Sequence, residues 1–258
     1  MRPGPRIPDE VRAYALPTEE NPFAELTASA LLEDVGKGRR GATLTRVDET
    51  GGVPLVRTTT RYAGPAQRFR AVHERLARRI QDHAAIPVGF NNALIETYTN
   101  AYATMGAHSD QALDLADASF IAVFSCYRYP EAGPPRKLLV EAKGPGDERF
   151  ELPLAHNGVV TFSVEANRRL KHRIVLESPS RAPDNQWLGI TFRTSKTFLR
   201  FRDGEPRLPH GARLTAADEE QAREFYRLRR RENHETDFVY PPLTYTVSES
   251  DLLPPVPR

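Results

Sequence analysis

The chain reads as a mainly β domain with flanking helices, folded as a sandwich or double-sheet jelly roll, and three observations carry that reading. From Asn92 onward, "NALIETYT", "SFIAVFSCY", "KLLVEA", "RFELPL", "GVVTFSV", "HRIVLE" and "QWLGITFR" have strand composition, with Gly, Pro and Asp turn signals between them. A helical pattern precedes them in "GPAQRFRAVHERLARRIQDHAA", where Phe69, Val72, Leu76 and Ile80 recur at helical spacing. Apolar residues make up 39% of 258 positions and Cys126 is the single cysteine, so the core must come from burial and not from disulfides.

In chain order, residues 1 to about 17 form a Pro-rich extended arm. "TEENPFAELTASALLEDV" reads as a helix, its acidic residues early in the segment where the helix dipole favours them. "VPLVRTTTRYAG" has the β-branched content of a strand, and Pro65 is placed for the first turn of the next helix. Beyond Arg202, "TAADEE" opens a further helix with Thr215 and Asp218 spaced as a capping box. Its basic end "RLRRREN" reads as a solvated helix terminus and not as a nucleic-acid patch. The tail "VYPPLTYTVSESDLLPPVPR" is extended and wraps the domain. The expected organisation is therefore an arm and helix over 1–49, a β core over 50–202, and a helix and Pro-rich tail over 203–258 packed on that core.

Composition narrows function. The formal net charge is +2, which gives no strong electrostatic footprint for nucleic acid. No apolar run approaches bilayer length, and "MRPGPRIPDE" lacks the apolar stretch of a signal peptide. With one thiol, a soluble cytoplasmic protein with no membrane partner is expected.

The chemistry centres on "TMGAHSDQ". If the backbone is extended there, His108 and Asp110 point to one side and can share an ion. His172, in "RRLKHRIVLE", is delivered to the mouth of an apolar strand and is the third candidate. Two imidazoles and one carboxylate with positions left open suit non-haem Fe(II), whereas structural zinc requires four protein groups, usually including cysteine. In "WLGITFR", alternation puts Trp187, Gly189, Thr191 and Arg193 on one face. An inward arginine is costly unless it meets an anion, and its fork suits a carboxylate, with Gly189 leaving room beside it. A salt bridge from Arg193 to Asp110 or Glu96 is the structural alternative.

These segments resemble a known family. "FNNALIETYTNAYATMGAHSD" is similar to the central motif of the AlkB-like Fe(II)/2-oxoglutarate dioxygenases, with Phe90, Asn91, Leu94, Tyr98, His108, Ser109 and Asp110 in register. "LPLAHNGVVTFSVEANRRLKHRI", "WLGITFR" and "VPLVRTTTRYAG" resemble further family segments, so the likeness covers about residues 50 to 200. It implies a double-stranded β-helix, a jelly-roll or cupin-like barrel, with Fe(II) on His108, Asp110 and His172. It also implies 2-oxoglutarate held by Arg193 and Tyr98, with Thr191 on the same wall, and its conversion to succinate and CO₂.

Three positions depart from the family pattern. Trp187 stands where the family has the first of two arginines, the one that meets the far carboxylate of 2-oxoglutarate. Arg193 itself, Lys196, Arg169 or Arg181 are the substitutes considered. Glu96 replaces an asparagine, with Arg193 or a cationic substrate as its expected partner, and Ala112 replaces an acidic residue that reads the damaged base in repair members. The expected function is oxidation of a small-molecule or amino-acid-like substrate. Nucleobase dealkylation and a catalytically silent binding barrel are the alternatives. His73, His83 and His156 read as surface or satisfied core histidines, Cys126 as a buried hydrophobe, and Tyr127 and Arg128 as optional lining of a substrate mouth.

Overall fold

The computed structural model describes residues 10–18, 20–144, 149–177 and 185–256. Strand β1 (Val11–Ala15) and helix α1 (Phe23–Ala28) are followed by β2 (Glu33–Gly36), β3 (Arg39–Thr45), β4 (Val53–Leu55) and β5 (Gln67–Arg68). Helix α2 (Ala71–Ala84) precedes β6 (Asn92–Tyr98), β7 (Phe120–Tyr127), β8 (Lys137–Ala142), β9 (Arg149–Pro153) and β10 (Gly158–Ser163). The short helix α3 (Val164–Arg169) leads into β11 (Leu170–Val175), β12 (Trp187–Arg193), β13 (Thr197–Arg202), β14 (Glu205–Arg207) and β15 (Thr215–Ala216). Helix α4 (Glu219–Glu232), β16 (Tyr245–Thr246) and a short 3₁₀ turn (Glu249–Leu252) follow.

Among the described residues the main sheet is eight-stranded, in the order β1-β10-β7-β12-β6-β3-β2 with β5 beside β3. A smaller sheet, β11-β8-β9, faces it and is extended by isolated bridges at Thr104–Val175 and His108–His172. This is the expected mainly β jelly roll with flanking helices.

Strand alternation divides the interior. Ala93, Ile95, Phe124, Leu188, Ile190 and Phe192 face Phe23 and Leu26 of α1 and Leu76, Ala77 and Ile80 of α2. On the opposite face, Ile121, Val123 and Trp187 pack with Leu138, Val140, Leu170 and Ile174 of the small sheet. The helices thus cover one side of the main sheet, and the cavity forms on the other. No helix among the described residues is long and apolar enough to cross a membrane.

Several local expectations are corrected. The segment read as one helix over 18–35 contains only α1, and Glu33–Gly36 is a strand. The reason is pairing: β2 and β3 extend the main sheet, so residue 49 is not a boundary between an arm and the core. The "VPLVRTTTRYAG" strand ends at Leu55, because Arg57 turns inward. It pairs with Asp114 and donates to the carbonyls of Leu243 and Tyr245, which pins the C-terminal tail as a wrap. Helix α2 starts at Ala71, beyond Pro65, because Gln67 and Arg68 pair with β3 first. At α4 the capping box is Asp218 with Gln221, since Thr215 is taken by pairing with Tyr245.

His73 is a satisfied core histidine. Its Nδ1 accepts the backbone N–H of Arg70, so Nε2 carries the proton donated to Ser29 Oγ, and Ser29 in turn donates to Leu26 O. One imidazole thereby ties α2 to the end of α1. Burial, and then Arg70, push His73 down to about 4. A folded-state value below the unfolded one means this stability is complete above the ordinary histidine range and is lost as pH falls toward 4. We predict that His73→Ala costs about 1–3 kcal/mol at neutral pH and flattens the loss of stability on acidification toward about pH 5. Urea melts at the two pH values check this, and an unchanged pH dependence contradicts it.

Candidate active site

The two histidines are brought together by backbone pairing. His108 N–H donates to His172 O at 2.9 Å and His172 N–H to His108 O at 2.7 Å, a reciprocal antiparallel bridge. Directly opposed residues in such a pair share a face. Their rings lie 4.8 Å apart, centroid to centroid. Beyond His108 the chain leaves the ladder, so Asp110 reaches the same place from a loop and not from an extended strand.

One ligand atom from each of His108, Asp110 and His172 lies within 4.8 Å of the others. His172 Nε2 and Asp110 Oδ1 are 3.5 Å apart. That approaches the ~3 Å separation of adjacent ligands on one ion with bonds of about 2.1 Å. His108 Nδ1 is hydrogen bonded to Gly106 O, which leaves Nε2 for the ion. Burial, and then His172, push His108 down to about 3. Burial opposes ionisation of Asp110, but Arg193 and His172 outweigh it and hold the carboxyl well below the usual carboxylate range. A neutral imidazole and an ionised carboxylate are what a divalent metal requires. Two nitrogens and one carboxylate with room on the open side fit Fe(II).

Asp110 is fixed from several directions. Arg193 Nε donates to its Oδ2 at 2.6 Å. Asn167 grips its backbone at both ends, accepting from Asp110 N and donating to Asp110 O, each at 2.7 Å. Asn167 is itself placed by α3, whose first turn is capped by Ser163 Oγ accepting from Ala166 N. Helix α4 holds the flanking residues. Arg229 donates to Ser109 O, Glu232 accepts from Ala112 N, and Asn233 accepts from Ser109 N and Oγ. The basic run at the end of α4 is therefore not wholly solvated: Arg229 and Glu232 are buried and ion-paired with each other.

These ligands line a cavity of about 380 Å³ that also exposes Arg39, Leu94, Glu96, Tyr98, Trp187, Thr191 and Arg193. Glu96 does not pair with Arg193. Its Oε1 accepts from Arg39 Nε at 2.6 Å and its Oε2 from Tyr98 OH at 2.9 Å. Gly189 does not leave room beside Arg193 either: a Cβ there would meet the Trp187 indole at 2.0 Å. That indole folds back over Gly189 and packs against Tyr98, with ring centroids 4.7 Å apart.

Two of the other candidate cations are engaged elsewhere. Lys196 pairs with Asp117, Arg169 with Glu10, and Arg181 lies outside the described residues. Tyr127 and Arg128 do not line the cavity, and Tyr127 OH is occupied between Leu154 O and Arg136 N.

Sequence reasoning missed Arg39, Asn167, Arg229, Glu232 and Asn233. For Arg229 and Glu232 a signal existed, because Phe225, Leu228, Arg229 and Glu232 recur at helical spacing and mark one buried face. For Arg39, the strand pattern in "RRGATLT" places it on the face of Gly41 and Thr43. Nothing local marks Asn167.

Residues 37–193 match the family described as the 2OG-Fe(II) oxygenase superfamily. No curated protein matches the chain. Among solved structures it is similar to "The structure of OsALKBH1", with 14% identity, a TM-score of 0.39, and coverage of 61% of this chain and 78% of that one. It is also similar to a Pseudomonas putida prolyl-4-hydroxylase, with 14% identity, a TM-score of 0.42, and coverage of 71% and 92% respectively.

Removing the Asn167 clamp should loosen the backbone of Asp110 without removing any candidate ligand side chain. We expect Asn167→Ala to weaken divalent-metal binding by about 10- to 100-fold with the fold retained. Titration with Fe(II) under nitrogen measures this, and unaltered affinity contradicts it.

Proposed function

The chain belongs to the 2OG-Fe(II) oxygenase superfamily, and from that membership we propose that it oxidises a small-molecule or amino-acid-like substrate at His108, Asp110 and His172. It is an Fe(II)/2-oxoglutarate-dependent oxygenase. When bound, the iron and 2-oxoglutarate supply the oxidising chemistry, releasing succinate and CO₂. The residues of the chain bind, orient and shield. His108, Asp110 and His172 hold the metal, and Arg193 keeps Asp110 ionised and aimed. Leu94, Val123, Leu138 and Ile174 give the cavity an apolar wall against water. Tyr98, Thr191 and Arg193, which line the same cavity, would flank the co-substrate. The observation that carries this reading is the convergence of the three ligand atoms on one wall of a confined cavity.

Charge supports a small substrate. Three of the four exposed arginines of α4 are engaged by carboxylates, Arg223 by Glu219, Arg227 by Glu224 and Arg231 by Glu235, while Arg230 has no carboxylate partner among the described residues. With a net charge of +2, this leaves that helix a poor track for a phosphate backbone. Oxidative dealkylation of nucleobases is the competing reading, favoured by the motif around Tyr98 and His108.

Purified protein with Fe(II), O₂ and 2-oxoglutarate should form succinate, and His108→Ala should lower this by at least about 100-fold. Turnover that survives the substitution refutes the site, and no turnover by the native protein supports a silent barrel. Single-stranded oligonucleotides should not bind at low ionic strength; tight, salt-sensitive binding would favour dealkylation.

A further inference from the structure

2-Oxoglutarate carries a second carboxylate that must be met away from the metal, and an unpaired anion in such a cavity is costly. Three guanidinium groups line it: Arg39, Arg193 and Arg229. Arg193 is bound to Asp110. Arg229 is bound to Glu232 and Ser109 O on the ligand loop. Arg39 donates from Nε and Nη2 to Glu96 and Thr60, which leaves its Nη1 without a hydrogen-bond partner among the described residues.

The register places Arg39 well. Arg39 on β3, Tyr98 on β6 and Trp187 on β12 are direct partners across three adjacent strands and form one row. Arg39 and Trp187 are therefore two strands apart, roughly 10 Å at about 4.8 Å per strand, within reach of a side chain from each end. At the Trp187 end the row is closed by the indole packed on Gly189 and Tyr98. The cation of the row is supplied from β3. A rival, Arg136, stacks on Tyr98 with its guanidinium carbon 5.5 Å from the ring centre, but it does not line the cavity. Its two terminal nitrogens are spent on Tyr102 O and Thr99 O.

We infer that Arg39, braced by Glu96 and Thr60, binds the far carboxylate of 2-oxoglutarate in this protein. The inference rests on the oxygenase reading above. Charge agrees with it: the Arg39–Glu96 and Arg193–Asp110 pairs are each neutral, so the two charges of a ferrous ion are left to balance a dianion.

The test is anaerobic calorimetry of the Fe(II)-loaded protein with 2-oxoglutarate and with 2-oxobutanoate, a 2-oxo acid lacking the far carboxylate. Arg39→Gln should weaken 2-oxoglutarate by about 10- to 100-fold, the scale of a hydrogen bond to a charged group, and leave 2-oxobutanoate nearly unchanged. Because Arg39→Gln also unmasks Glu96, the double variant Arg39→Gln/Glu96→Gln decides the cause. Continued selective loss of 2-oxoglutarate supports direct contact. Native affinity in the double variant, or equal weakening of both acids by Arg39→Gln, overturns it. The readout is a ratio within one sample, so partial unfolding lowers the number of sites without moving the ratio. Native protein that binds neither acid removes the oxygenase reading itself, a result distinct from any behaviour of the variants.

Discussion

The candidate site depends first on one pair of backbone hydrogen bonds, those exchanged between His108 and His172. They fasten the segment after β6 to β11, and in doing so they set two imidazoles side by side on an inner wall. An antiparallel bridge allows little rotation about its own axis, so the ring positions are decided by the sheet more than by the side chains. The third ligand cannot come from the same ladder, because the chain leaves it after His108. Asp110 is held instead by side chains from β12 and α3, through Arg193 and Asn167. A binding site whose parts are fixed before the ion arrives gives up little further conformational entropy on binding.

Two ion pairs then share the cavity, Arg193 with Asp110 and Arg39 with Glu96. Buried pairs give little net stability, since desolvation offsets most of the attraction. Their presence is better explained by what they hold in place. Arg193 keeps a carboxylate ionised beside two histidines. Glu96 links Arg39 to the hydroxyl of Tyr98, so these three side chains on neighbouring strands act as one rigid unit. Arg136 adds a further positive charge just behind Tyr98. Burial lowers its hold on the proton, and no carboxylate among the described residues compensates it.

What could be read from the sequence follows the physics of each signal. Strands from β6 to β12 were legible because each has one face in an apolar core, and burial writes a period of two into the chain. The three candidate ligands could be picked out because metal chemistry restricts residue type, and the fold brings His108, Asp110 and His172 together. The edge strand β2 was not, since its burial pattern carries little apolar alternation, and "LLEDV" reads equally well as the end of a helix. The partner of Glu96 was not legible either. It is chosen by the register between β3 and β6, a long-range pairing that local patterns do not encode. Thr215 and Asp218 show the same limit at short range: both can cap a helix, and the pairing of Thr215 with Tyr245 settles which one does.

The C-terminal helix carries this reasoning outside the matched span. The family match ends at residue 193, yet Arg229, Glu232 and Asn233 hold the backbone of Ser109 and Ala112 on either side of Asp110. The ligand loop is thus gripped from inside by Asn167 and from outside by α4. Tyr240 OH donates to Glu232 Oε2, and Lys143 donates to the Glu232 carbonyl, so α4 is itself tied to the tail and to the chain just beyond β8. A shift of α4 would therefore be transmitted to Asp110, the carboxylate proposed to hold the metal. The segment beyond residue 202 is accordingly a working part of the site, even though the chemistry-bearing residues all precede it.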